Sequence, residues 1–276
     1  MTSSILSCKS RMADDLGPMS LGRRFFVSVS TLMSSTIIAQ AITFGASFIL
    51  TRLYSPSEYG HYSIFMGIAA ALGAASTGAL DRVILLGGSD GEVKQVATTV
   101  FASSIACAGI VSLLGLALTL TGQNSLIPLE PADLQFHIPV FMVCLAGGQV
   151  FIYSSLRANT MRTLAAAKIG QNMLVAGAQI LLGQARVIPG LVIGAIAGWF
   201  LVFVMGLRWR LKLGLGREDF RLASLVKPFR KHSRYPRYVV PNELLDNLSH
   251  QLPIFFIGAF LSLTEAGQYG IAVLML

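Results

Sequence analysis

Long stretches without a single Asp, Glu, Lys or Arg set the pattern of this chain. They run between Arg24 and Arg52, Glu58 and Asp81, Lys94 and Glu130, Asp133 and Arg157, Lys168 and Arg186, and Arg186 and Arg208. A helix needs about 20 mostly apolar residues to cross a ~30 Å hydrocarbon core, so each interval predicts one membrane span. A seventh is expected from Asn247 to Thr264, and an eighth opens near Tyr269 with eight residues, Tyr269 to Leu276. At ~1.5 Å per residue those eight cover only about 12 Å, so the expectation is a truncated eighth span and a fragment of a longer protein. The pattern as a whole predicts an all-α polytopic membrane bundle. Its parts are a segment 1–24, a six-helix lobe 25–207, a basic inter-lobe loop 208–240 and the start of a second lobe 241–276.

Composition agrees. The chain is 54% hydrophobic and 12% charged, where soluble domains carry roughly 25% charged residues. The first apolar run is too long for the core of a cleavable signal and should remain as a span. Cys8, Cys107 and Cys144 are odd in number and lack CxxC spacing, which points to neither a disulfide framework nor a zinc site. Numbered from a cytoplasmic N-terminus, 19 of the 21 Lys and Arg residues fall in inside loops, and only Arg52 and Arg186 fall outside. That bias predicts an N-in, multi-pass protein.

The net charge of +8 equals that of residues 208–237 alone, ten basic residues less Glu218 and Asp219. A basic total fits nucleic acid or anionic lipid equally. Confined to one loop between spans, it reads as a surface resting on anionic headgroups, at ~1 kcal/mol per basic residue, with no nucleic-acid partner. Part of it is also a candidate dock for an anionic, lipid-linked substrate.

The sequence repeats itself. Glu58-Tyr59-Gly60-His61-Tyr62-Ser63-Ile64 returns 207 residues later as Glu265-Ala266-Gly267-Gln268-Tyr269-Gly270-Ile271, an E-x-G-x-Y-x-I pattern. Six spans separate the copies, so both enter the membrane in the same sense, as in parallel repeats about an axis along the membrane normal. Doubling the unit implies a parent of roughly 410 residues and about twelve helices.

Thr51-Arg52-Leu53-Tyr54-Ser55-Pro56-Ser57-Glu58-Tyr59-Gly60-His61-Tyr62 resembles the first extracytoplasmic turn of the polysaccharide-biosynthesis (Wzx-type) oligosaccharide flippases, within the multidrug/oligosaccharidyl-lipid/polysaccharide exporter superfamily. Tyr235-Pro236-Arg237-Tyr238-Val239-Val240-Pro241, then Leu252-Pro253 and Glu265-Ala266-Gly267-Gln268-Tyr269, resembles that family's approach to helices seven and eight. The resemblance implies export of polyprenyl-diphosphate-linked oligosaccharide across the bacterial cytoplasmic (inner) membrane by alternating access, for O-antigen, capsule or exopolysaccharide. It implies a polysaccharide polymerase and other assembly proteins as partners. The missing second lobe separates this chain from the family pattern.

Moving a sugar diphosphate through hydrocarbon strips water from charged and hydroxyl groups, so a polar path has to replace that water. Thr36, Gln40, Thr43 and Ser47 share one face of the first span, Gln149, Tyr153 and Arg157 one face of the fourth, and Asn172 and Gln179 one face of the fifth. Such stripes fit a cavity wall and equally fit polar contacts between helices. Arg suits a diphosphate because its planar fork bonds phosphate oxygens in pairs. Arg52, Arg82, Arg157 and Arg237 are the candidate substrate ligands; the competing role is snorkelling to headgroups. Asp246 and His250, an i, i+4 pair, are a candidate for proton coupling or else an interfacial cap. Gly190, Gly194 and Gly198 form a doubled GxxxG suited to helix packing.

Gly87-Gly88-Ser89-Asp90-Gly91 matches G-x-S-x-G, but it lies between spans, without the strand-to-helix turn a nucleophile elbow requires. No Walker A string, HExxH or metal-ligand cluster occurs. The expectation is a transporter with no catalytic residue, metal or cofactor. Two other readings stay open: a cation-coupled drug antiporter of the same superfamily, and a non-transporting scaffold or truncated, inactive fragment. An antiporter should bury acids within its spans, whereas Asp81 and Asp246 sit at ends.

Overall fold

Apolar runs bounded by small, turn-forming residues close into helices throughout, and among the described residues there is no strand. A computed structural model describes residues 21–86, 88–121, 133–187, 189–212 and 222–275. The helices are α1 Leu21–Leu53, α2 Pro56–Ser76, α3 Asp90–Thr121, α4 Ile138–Arg157, α5 Met161–Gln184, α6 Gly190–Lys212, α7 Leu222–Lys231, α8 Val240–Phe260 and α9 Leu263–Met275. Single π-helical turns, Asp133–His137 and Tyr235–Val239, lead into α4 and α8, and a short helical hook, Leu80–Leu86, follows α2. The protein is an all-α polytopic membrane bundle. The N-terminal stretch with Cys8, Lys9 and Arg11, Gly87 of the G-x-S-x-G string, and Arg217, Glu218, Asp219 and Arg221 lie outside the described residues.

Each of the six charge-free intervals holds a long helix, but length and apolarity single out four as able to cross a membrane: Phe26–Leu53, Asp90–Thr121, Asp133–Arg157 and Gly190–Leu211. The second interval is broken. Pro56–Ser76 and Leu80–Leu86 together make a fifth candidate bent by 59°, because Gly78 and Ala79 take left-handed backbone at φ 62° and 54°. A Cβ on Gly78 would sit 2.7 Å from the Phe229 ring. The α5 helix is not among the four; Arg162, Lys168, Gln171, Asn172 and Gln179 lower its apolarity.

The basic segment is less a loop than expected. α6 carries Arg208 and Arg210 to its end, α7 is a separate amphipathic helix, and a π turn follows. Arg210 is 3% exposed and donates to Thr98 Oγ1 of α3. Phe229 packs into the core beside Leu80, Val96 and Val150, and Lys231 Nζ reaches Glu92 Oε1 at 2.6 Å. Arg210 and Lys231 thus have partners within the protein.

Both copies of the repeat start a helix in the same way. Ser55 Oγ accepts from the Glu58 N–H at 3.3 Å, and the Glu58 carboxylate accepts from the Ser55 N–H at 2.7 Å, a capping box. Ser262 Oγ accepts from the Glu265 N–H at 3.2 Å. The copies also face each other: a methyl on Gly60 would run into the Leu263 carbonyl oxygen, and one on Gly267 into that of Pro56. Residues 56 and 263, like 60 and 267, are 207 apart, so the contact is reciprocal, as a twofold relation requires. Only glycine lets the backbones meet this closely.

The contacts define two ends of the bundle. The basic end gathers the α2 hook, the start of α3, the end of α4 and α7. The opposite end gathers the α1–α2 turn, the π turn before α4 and the α5–α6 turn. There the Tyr54 hydroxyl donates to the Gln179 carbonyl at 2.7 Å. Burial, with the Glu58 carboxylate adding, raises the Tyr54 phenol above its usual range and keeps it a donor.

Candidate functional site

Between α1, α2, α4, α5 and α6 lies a cavity of about 580 Å³. Its apolar wall includes Leu32, Met66, Phe151, Val175 and Val202; its polar wall is Thr36, Tyr62, Lys168, Gln171, Asn172 and Trp199. Lys168, Gln171, Asn172 and Val175 stand at i, i+3, i+4 and i+7 of α5, one continuous helical face. The cavity persists because the neighbours are held elsewhere. On the α5–α6 contact, Gly194 faces Gln179 and Gly198 faces Val175, while Gly190 faces the Tyr54 hydroxyl, each too close for a side chain. Trp199, opposite, is packed edge-on against Phe141 at 6.1 Å between ring centroids.

The polar groups of this wall differ in how far they are committed. Asn172 is satisfied: its side-chain oxygen accepts from Thr43 Oγ1 at 3.1 Å, and its Nδ2 donates to the Lys168 carbonyl at 2.9 Å. Lys168 Nζ donates to Thr36 Oγ1 at 3.0 Å and meets no carboxylate among the described residues. An ammonium has three donors, so two remain for a guest. The Gln171 amide and the Trp199 indole N–H make no hydrogen bond within the described residues and face the same space. No Asp or Glu lines the cavity. It offers one positive charge, uncommitted donors and aromatic faces, at a level about 10 Å along α5 from Met161. Such a lining is chemically complementary to an anionic, hydroxyl-rich group.

A family model described as polysaccharide biosynthesis protein matches residues 49–276. The chain belongs to the polysaccharide biosynthesis protein family. No curated protein and no solved structure matches the chain. The family match, with apolar helices long enough to span, makes this a multi-pass membrane protein of polysaccharide biosynthesis. The match takes in the α2, α4, α5 and α6 walls of the cavity; Leu32 and Thr36 of α1 precede it.

In this polysaccharide biosynthesis protein the residues singled out by spacing go to several places. On α1, Thr36 lines the cavity, Thr43 bonds Asn172, Ser47 is buried and bonds back to the Phe44 carbonyl at 2.6 Å, and Gln40 is exposed away from the cavity. On α5, Gln179 is buried, its Nε2 donating to the Leu191 carbonyl at 2.9 Å. On α4, Gln149 and Tyr153 are partly buried outside the cavity, Tyr153 against the cluster of Leu80 and Val83.

The four arginines do not converge. Arg82 is ion-paired with Glu243 of α8. Arg157 donates to the Ile84 carbonyl at 3.3 Å and lies 3.8 Å from Asp90. Arg237 sits over the Tyr238 ring at 5.6 Å, and Arg52 is exposed at the other end of the bundle. None lines the cavity. Asp246 and His250 are 3.8 Å apart, with side chains 72% and 78% exposed, beyond hydrogen-bond distance and open to solvent.

Lys168, Gln171, Tyr62 and Trp199 were not singled out by the sequence reading. The signal for Lys168 was present, one turn ahead of Asn172 on a polar face, but treating charges as span boundaries put this lysine in a loop. Asp133, His61 and His137 were missed in the same way: Asp133 served as a boundary, and His61 as a variable position of the repeat.

Proposed function

We propose that the protein moves a lipid-linked oligosaccharide across the bacterial cytoplasmic membrane, passing the sugar and its diphosphate through the α1–α5 cavity while the polyprenyl tail stays in lipid. The observation that carries this reading is the acid-free cavity whose one cation, Lys168, has donors to spare. A phosphate can take them as charge-assisted hydrogen bonds. Gln171 and Asn172 present amides to sugar hydroxyls, and the Trp199 and Tyr62 rings present apolar faces with a polar edge. A cation inside a membrane bundle is costly unless it serves a guest or a pathway.

The basic end then faces the cytoplasm, as the distribution of Lys and Arg favours. The reciprocal Gly60–Gly267 contact supports reading α8 and α9 as the opening of a second repeat, against which the first rocks in alternating access. No covalent chemistry is assigned to the chain. Anionic headgroups are left the exposed Lys227, Arg230 and Arg234, and polymerase and assembly partners act at the membrane surfaces. A cationic-drug antiporter would need an acid facing its cargo, and the cavity wall supplies none.

The test is complementation of a strain lacking its own flippase, with surface polysaccharide read by gel and antibody and ethidium efflux measured in parallel. Polysaccharide returning without efflux supports the proposal. Efflux without polysaccharide would replace it with the antiporter.

A further inference from the structure

At the end opposite the basic one, a carboxylate is held between two imidazoles. Asp133, on the π turn before α4, has a side chain 2% exposed. His61 Nε2, on α2, stands 2.7 Å from its Oδ2, and His137 Nδ1 stands 2.9 Å from its Oδ1. The imidazoles are 19% and 25% exposed. The π turn is fixed from the α3 side, where Ser112 Oγ donates to the Gln135 carbonyl at 2.8 Å. A side chain at Gly115 would crowd the backbone of Leu134 and Gln135.

We infer that His61, Asp133 and His137 form a proton-binding site that joins α2 to α4 at the extracytoplasmic end and takes up protons from that side. A buried carboxylate without a counter-charge is costly, so at least one imidazole is protonated and the trio is neutral with one proton. With both protonated it carries +1, and Asp133 holds both helices. His137 Nδ1 hydrogen-bonds the carboxylate and is therefore its N–H donor, while His61 Nε2 lies at ion-pair distance from Oδ2 without hydrogen-bond alignment. The second ring nitrogen of His137, Nε2, is then the atom that accepts the incoming proton; hydronium becomes water and one N–H bond forms.

Among the described residues few other groups bear on this charge; α9, which meets α2 at Gly60, brings Glu265 and Tyr269. α3 packs on the π turn with residues 103–121, whose only ionisable side chain is Cys107. α6 brings no charged residue before Arg208, and α4 none before Arg157. α2 adds Tyr59, Tyr62 and Glu58, the last engaged with Ser55. The trio therefore titrates as a unit, with steps that belong to the pair of imidazoles and not to either ring. Only the use of the proton, to drive transport, rests on the proposed flippase reading; the site itself does not.

The experiment is a pH titration by NMR of the full chain in phospholipid nanodiscs, with carbon-13 at histidine Cε1. Peaks are assigned through H61Q, H137Q, His232→Gln and His250→Gln. His61 and His137 should titrate in two coupled steps at least about one pH unit apart. Asp133→Asn should merge the two steps. Should D133N fail to fold, H137Q decides alone, since it should collapse the two-step His61 curve of the native chain to one step. Two imidazoles that titrate independently in the native chain, with a His61 curve that H137Q leaves unchanged, would overturn the site. Coupled steps in a chain that restores no surface polysaccharide would support the site and sink the flippase reading.

Discussion

Two polar faces that look alike in sequence come to opposite ends in the fold. Lys168, Gln171 and Asn172 on α5, and Gln149, Tyr153 and Arg157 on α4, both run along one side of a helix. The α4 face ends in a packed region: Arg157 is drawn to the Ile84 carbonyl, Tyr153 lies against Leu80 and Val83, and α4 meets α6 backbone to backbone, with Gly206 against the Gly147 carbonyl. The α5 face opens on a cavity and keeps donors unused. Polar spacing therefore does not mark a substrate path. On the proposed reading, what marks it is polarity that the protein leaves unsatisfied while the helices around it are held apart.

The sharpest way to break this comparison is to reverse the charge on the open face. Lys168→Glu should reduce surface polysaccharide in the complemented strain at least about tenfold by setting like charges against a phosphate, while Lys168→Arg keeps most of it. Wild-type levels with glutamate would remove the distinction between the faces. On the closed face, Gly206→Leu should destabilise the bundle by about 1–3 kcal/mol or more, since the Gly147 carbonyl cannot rotate away. Thermal unfolding in detergent reads this, and an unchanged midpoint would mean α4 and α6 are not tightly joined. The smallest effect is expected from Arg157→Gln: transport within about twofold of wild type, with a loss of stability near 1 kcal/mol. A collapse of transport with normal folding would make α4 part of the path.

The helices were legible because apolar runs of spanning length leave the chain few alternatives in lipid. The break in α2 was not, because it depends on left-handed backbone at Ala79 and on Phe229 arriving from 150 residues away. The internal partners of the basic segment were hidden for a related reason. Charge alone suggested headgroups, whereas Arg210 and Lys231 find partners on α3 that only tertiary packing brings near. Within the cavity, Asn172 and Thr43 could be read from periodicity, while Lys168 was hidden by the rule that charges end spans. The repeat was visible as spacing, but the reciprocal meeting of Gly60 and Gly267 belongs to the fold.

The central claim is that water and anions reach the α5 face inside the bundle. Gln171→Cys, with Cys8, Cys107 and Cys144 replaced by alanine, should react in inside-out vesicles with a membrane-impermeant, anionic thiosulfonate, and several-fold more slowly once Lys168 is glutamate. A cysteine at 171 that stays unlabelled while the bundle remains folded would show a dry interior and contradict the account.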